Sequence, residues 1–135
     1  TKHARLHIPL QPVYYFRFSY SGALSFGQRT IGLMNYTGGM HGDDLNYLYH
    51  FDSFPLPVGR FDGALKVRRT YVRLMTNFFK YGNPTPGPVL RVKWPISSEN
   101  SEFLDVNGNL RIEKKPFEDR MRVWKEFDEK FNRGF

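Results

Sequence analysis

The stretch YTGGMHGDDLNYLYHF, residues 36–51, places one histidine among glycines, ahead of two aspartates and an aromatic run. It contains no lysine or arginine, although the 135-residue chain carries a formal net charge of +7. Gly38, Gly39 and Gly42 permit tight or left-handed turns and keep bulk away from the His41 imidazole. Because an imidazole titrates near neutral pH, this loop suits a general base. We therefore single out His41 as the candidate catalytic residue.

The composition indicates a folded domain and argues against several classes of protein. A hydrophobic content of 40% with 24% charged residues is typical of globular chains. No apolar run approaches the roughly 20 residues of a membrane span, and the absence of cysteine excludes disulfides and thiolate zinc sites within the chain. The basic residues are dispersed and accompany no nucleic-acid-binding motif, so we expect no nucleic-acid partner.

The first half of the chain predicts one strand, one connection and two helices. Residues 12–20 are rich in aromatic residues and predict a strand. The glycine-rich residues 21–39 predict a long surface connection. Residues 43–51 predict a short helix with Asp43 or Asp44 as its N-cap. Residues 62–81 predict the strongest helix, which Gly82 ends. Its expected apolar stripe consists of Leu65, Val72, Met75 and Phe79, widened by Tyr71, Leu74 and Phe78, and its expected basic side of Lys66, Arg69, Arg73 and Lys80.

The second half predicts a short strand, a hairpin and a last helix. Residues 91–95 alternate as a strand does, and residues 101–116 predict a hairpin around Asn107-Gly108, whose positive φ angles a tight turn requires. Pro116 is expected to open a helix with an apolar row of Phe117, Met121, Trp124, Phe127 and Phe131. Both long helices then present wide aromatic faces with no adequate sheet to cover. This imbalance indicates that the chain is part of something larger.

Residues 38–51 resemble the catalytic-histidine segment of the type-B carboxylesterase/cholinesterase family of α/β-hydrolases. Three further segments resemble this family in the same order: PVYYFRFSYSG (12–22), LMTNFFKYGNPTP (74–86), and VKWP (92–95) followed by a hairpin and a helix containing RMRVWKEF. The absence of cysteine and the Gly-Asp-Asp after His41 look closer to insect-type carboxylesterases, such as juvenile-hormone esterases, than to cholinesterases.

The resemblance implies an α/β class and the C-terminal part of an α/β-hydrolase fold, incomplete alone: one core strand, the catalytic-His loop, two long helices and a small terminal β-hairpin. Residues 1–135 are then the C-terminal segment of a carboxylesterase domain. His41 is implied to be the triad base, in a reaction that needs no metal or cofactor. Asp44 holds the family's acidic position, and we interpret it as a helix-capping and loop-fixing residue, since the triad acid precedes the histidine in this fold. Asp43 departs from the pattern and receives no role.

Other parts that ester hydrolysis requires in this fold are absent from the chain. No G-x-S-x-G occurs, SGALSFG (21–27) has the wrong spacing, and neither Asp nor Glu precedes His41. We therefore expect the N-terminal part of the same esterase to supply the serine and the acid, a small carboxylic ester to be the substrate, and the chain alone to be inactive. The alternative is a non-catalytic partner-binding module on a hydrolase-derived scaffold.

One further motif bears on location. Asn35-Tyr36-Thr37 is an N-glycosylation sequon. It suits a secreted enzyme, so an extracellular location is favoured over others and Asn35 is a candidate glycan site.

Overall fold

A mixed three-stranded sheet joins the early and late parts of the chain. The computed structural model describes residues 6–27, 37–52, 59, 62–88 and 90–131. Its strands are β1 (Phe16–Phe18), β2 (Glu102–Val106) and β3 (Arg111–Lys114), in the order β1-β2-β3. Strand β1 runs parallel to β2, with Phe16 opposite Leu104, and β3 runs antiparallel to β2. The central strand β2 lies late in the sequence, and it pairs with β1, which lies early and precedes the His41 segment.

The helices whose bounds can be given are α1 (Leu45–Leu48), α2 (Gly63–Tyr81) and α3 (Glu118–Phe131). Helix α2 confirms the helix predicted over 62–81. The Asp62 carboxylate accepts a hydrogen bond from the Ala64 N–H at 2.7 Å, which caps the first turn. Gly82 ends the helix with a φ of 63°, a left-handed conformation that glycine adopts without strain. None of the helices in these ranges is long and apolar enough to cross a membrane.

The core lies between α2 and one face of the sheet. The Phe18 ring contacts the rings of Tyr47 and Tyr71, with centroids 4.9 and 5.2 Å apart. The buried cluster consists of Leu24, Tyr47, Ala64, Val67, Tyr71, Leu74, Trp94, Leu104 and Val106. These aromatic contacts attach β1 to α2, and they hold the end of β1 in place.

The predicted apolar stripe of α2 is confirmed in part: Tyr71 and Leu74 are buried as expected, but the four main positions of the stripe lie beside the face that the fold buries. The buried residues are Ala64, Val67, Tyr71 and Leu74. Leu65, Val72 and Met75 are only half-buried, and Phe79 is 79% exposed. Apolar residues occur on both sides of this helix, so periodicity alone left its rotation ambiguous. Of the basic side, Lys66, Arg69, Arg73 and Lys80 are exposed as expected.

Several predictions for extended segments were wrong. The first strand is three residues long rather than nine, and residues 91–95 form no strand. Trp94 is nevertheless buried in the core, where its backbone N–H donates to Thr85 Oγ1 and its indole N–H donates to the Tyr15 carbonyl. The expected surface connection also fails in its described part, since Leu24 and Ser25 are buried.

The hairpin is confirmed, but its turn works differently from the prediction. Neither Asn107 nor Gly108 has a positive φ. Instead, Asn107 Oδ1 accepts from the Asn109 N–H at 2.8 Å, and Asn107 Nδ2 donates to Asp105 at 2.6 Å. Side-chain hydrogen bonds thus shape the loop between β2 and β3.

The last helix is present with an uncovered apolar face. It begins at Glu118 rather than at Pro116, and the acidic Glu118 and Asp119 lie in its first turn. No residue of α3 is buried. The side chains of its predicted row that are exposed include Met121, Trp124, Phe127 and Phe131.

Candidate active-site loop

His41 lies at the tip of a tight turn formed by residues 40–43, called here the His41 turn. The Asp43 N–H donates to the Met40 carbonyl at 3.1 Å and closes the turn. Gly42 follows His41 with a φ of +81°, the sign that a type II turn requires of its third residue. The His41 side chain is exposed, and no hydrogen bond reaches it from the part of the chain that the structure describes. The imidazole is therefore open to an approaching group.

Asp43 connects the His41 turn to a segment 16 residues earlier. Its side chain is fully buried. Carboxylate Oδ1 accepts from the Phe26 N–H at 2.6 Å and from the Gly27 N–H at 3.3 Å, while Oδ2 accepts from the Met40 N–H at 2.8 Å. Hydrogen bonds to an ionised acceptor are among the stronger ones in proteins. Asp43 thus joins the backbone of residues 26–27 to that of Met40 in the His41 turn.

Close backbone approaches also restrict the turn. A Cβ on Gly39 would collide with the Phe18 carbonyl oxygen at the end of β1. A Cβ on Gly27 would collide with the Met40 sulfur. The backbone of β1 therefore requires glycine at position 39, whereas a Cβ at position 27 would displace the flexible Met40 side chain. Gly38 adds a positive φ of 99°. The short distance between Gly39 and the Phe18 carbonyl thus explains why a glycine lies close to His41.

Asp44 occupies the N-cap position of α1 but does not cap it. Its backbone is already helical, with φ −61° and ψ −29°, and its side chain makes no capping hydrogen bond. The capping role expected of Asp44 was therefore wrong. Its carboxylate instead lies near Tyr71 of α2. The pKa of the Tyr71 hydroxyl is raised, chiefly by burial and then by the nearby Asp44 charge. The residue links the start of α1 to the core helix.

The loop crosses the carboxyl end of β1, because Gly39 lies against the last carbonyl of that strand. In α/β sheets, ligands bind at the carboxyl ends of parallel strands.

The other candidate groups lie elsewhere. His50 pairs with Asp52 at 3.2 Å, and both side chains are exposed. Within the described ranges, no three histidine or acidic side chains are close enough together to hold a metal ion. Asn35 lies outside the described residues.

The chain is similar to known proteins along most of its length. The model of the carboxylesterase family matches residues 1–124. The chain belongs to the carboxylesterase family. Two related proteins are the juvenile hormone esterases of Tribolium castaneum, 34% identical over 134 aligned positions, and of Heliothis virescens, 28% identical over 124. These alignments cover 84% and 89% of this chain but 22% of each relative, so the chain spans about a fifth of their length.

Solved esterase structures show the same fold. The chain superposes on the juvenile hormone esterase of Manduca sexta, crystallised with OTFP covalently attached, with a TM-score of 0.76 and 26% identity. This match covers 97% of the chain and 25% of that structure. A PNB esterase superposes with a TM-score of 0.65 over 89% of the chain and 22% of that structure, at 19% identity. This carboxylesterase segment therefore has the fold of part of an α/β-hydrolase, as the sequence predicted.

The sequence of this family member singled out His41 as the candidate base but gave Asp43 no part in the site. No local signal marks Asp43, because Phe26 and Gly27, to which it binds, lie 17 and 16 residues upstream. The acidic pair 43–44 looked like a helix start, and both carboxylates turned out to serve tertiary contacts instead. Gly27 was likewise noted only as a loop residue.

Proposed function

We propose that this chain supplies the triad histidine, His41, to a serine carboxylesterase. The observation that carries the proposal is the exposed imidazole at the tip of a restrained turn over the carboxyl end of a parallel strand. In a carboxylesterase, a histidine held in this way is the expected general base. Membership of the family supports hydrolysis of carboxylic esters as the reaction class.

In this reaction the His41 imidazole removes the proton of the serine hydroxyl as the serine oxygen attacks the ester carbonyl carbon. The imidazolium then donates that proton to the oxygen of the departing alcohol, and an acyl-enzyme remains. Water attacks the acyl carbon next, with His41 again as the base. The proton returns to the serine as the carboxylic acid leaves, so no cofactor or metal is consumed.

The serine and the acid belong, in this proposal, to polypeptide outside residues 1–135. Two facts support this: no G-x-S-x-G occurs in the chain and no acidic residue precedes His41. The relatives are also far longer than the chain. Juvenile hormone, named in those relatives, is the first natural ester to test, and an extracellular location belongs to the same proposal through the Asn35 sequon.

The test replaces His41 by Ala in the complete polypeptide and measures hydrolysis of a p-nitrophenyl ester. We expect kcat to fall by about 10⁴-fold or more, as in other serine hydrolases that lose a triad member. His50→Ala is the matched control, because His50 is exposed and pairs only with an exposed Asp52 among the described residues. Retention of near wild-type turnover by the His41 variant overturns the proposal. The 135-residue chain alone is expected to show no turnover that organophosphates inhibit.

A partner-binding module on the same scaffold is the second candidate. The observation that favours it is the exposed apolar row on α3, which includes Trp124 and Phe127. The two candidates differ in the polypeptide before Thr1. A serine elbow and an acid encoded there support the esterase, and an open reading frame without them supports the module.

A further inference from the structure

We propose that Asp43 is a positioning residue that sets the place of His41 for catalysis. The inference rests on the proposed function, because it assigns Asp43 a part in the reaction of His41. It concerns a residue that the sequence offered only as a possible helix N-cap and to which it gave no part in catalysis. Asp43 acts through the backbone of the His41 turn and touches no reacting atom in this proposal.

The geometry of Asp43 leaves its carboxylate little freedom. One oxygen accepts two N–H groups from residues 26 and 27, and the other accepts the N–H of Met40, the residue before His41. The Asp43 N–H also donates to the Met40 carbonyl. Met40 is therefore held at both its N–H and its C=O by the same residue. The direction in which His41 leaves the turn follows from where Met40 and Asp43 are held.

The burial of this carboxylate indicates why an aspartate is needed. Burying a carboxylate is costly unless hydrogen bonds compensate for the lost water. No salt bridge of the described residues involves Asp43, and the three backbone N–H groups provide the compensation. Both oxygens act as acceptors. An asparagine offers only one acceptor oxygen, so its amino group must face an N–H donor on one side.

Asp43 is not the triad acid in this arrangement. Both of its oxygens are directed at backbone N–H groups, and none of the hydrogen bonds of the described residues joins it to the His41 ring. It also follows the histidine, whereas the acid of this fold precedes it. The role left for it is to maintain the geometry between two loops.

The experiment compares Asp43→Asn with Asp62→Asn in the complete polypeptide. Asp62 is the matched control, since its carboxylate also accepts a backbone N–H, at the start of α2, and asparagine caps a helix about as well as aspartate. For Asp43→Asn we expect kcat to fall by about 10- to 100-fold with KM within about twofold, because a shift of the base slows chemistry without removing substrate contacts. Asp62→Asn is expected to retain both constants.

Hydrogen exchange supplies a readout that is independent of turnover. Peptides covering residues 22–27 and 38–43 should exchange faster in Asp43→Asn than in wild type, and equally fast in Asp62→Asn and wild type. If Asp43→Asn does not fold, Asp43→Glu takes its place. Glutamate retains both acceptor oxygens but lengthens the side chain by one methylene, so it should displace the turn and produce the same kcat loss.

The outcomes separate this inference from the proposed function. An unchanged kcat in a folded Asp43 variant, alongside an inactive His41→Ala, overturns the positioning role alone. An active His41→Ala overturns the proposed function itself. A KM increase equal to the kcat loss also overturns the inference, since it indicates a general distortion of the site.

Discussion

Replacing Gly39 by Ala tests whether the end of β1 sets the position of the His41 turn. The added Cβ would lie well inside van der Waals contact with the Phe18 carbonyl oxygen. That oxygen cannot easily retreat, because the next two residues, Ser19 and Tyr20, both donate to the Val106 carbonyl and the Phe18 ring packs on Tyr47 and Tyr71. The loop, rather than the strand, is the part that must move.

The size of the effect follows from the geometry. Restoring an ordinary contact requires the loop to shift by on the order of 1 Å. A misplacement of this size at a catalytic group costs about 100-fold in rate, and overpacking costs about 1–3 kcal/mol of stability. We therefore expect Gly39→Ala to lower kcat by about 100-fold in the complete polypeptide while the protein still folds.

The assay is steady-state hydrolysis of a p-nitrophenyl ester together with the midpoint of urea unfolding. Gly87→Ala is the control, because a Cβ there meets nothing within 4 Å and the backbone has no positive φ. It should leave kcat unchanged and the unfolding midpoint equal or slightly higher. A Gly39→Ala enzyme with wild-type kcat would falsify the idea that Phe18 restrains the turn.

Two further predictions concern stability and modification. Glu102 accepts hydrogen bonds from the N–H and hydroxyl of Ser98, which lowers its pKa to about 2 from an ordinary 4.5. Its contribution to stability is thus fully present above about pH 4.5 and is lost as the pH falls toward about 2. Glu102→Gln should therefore lower the urea midpoint at pH 7, and the difference in midpoint from wild type should become smaller below pH 4.5. Glu99→Gln, at an exposed side chain, should leave the midpoint unchanged at both pH values. A difference between Glu102→Gln and wild type that stays constant with pH refutes the linkage. Asn35→Gln should abolish any mass loss on endoglycosidase treatment of protein expressed through a secretory pathway, and an unglycosylated wild type contradicts the proposed modification.

The parts of the fold that sequence predicted well depend on local chemistry. Helix α2 begins at the Asp62 cap and ends at Gly82, both visible as residue types next to an apolar periodic run. The hairpin was recognisable from two apolar runs around Asn107-Gly108, although the turn itself depends on the Asn107 side chain. The predictions that were wrong concern features that depend on packing against other segments. They are the rotation of α2, the length of β1, and the strand expected at residues 91–95.

The candidate site divides in the same way. Residue type and spacing singled out His41 as the candidate base, because a histidine among glycines ahead of an acidic pair is a local pattern, and the resemblance of four segments gave the family, which the comparison confirms. The roles of Asp43 and Asp44 became visible only in the tertiary structure. Asp43 accepts hydrogen bonds from residues 26 and 27, and Asp44 lies near Tyr71 of another helix. Which backbone groups a buried carboxylate meets depends on how distant segments pack, and no spacing along the chain encodes that distance.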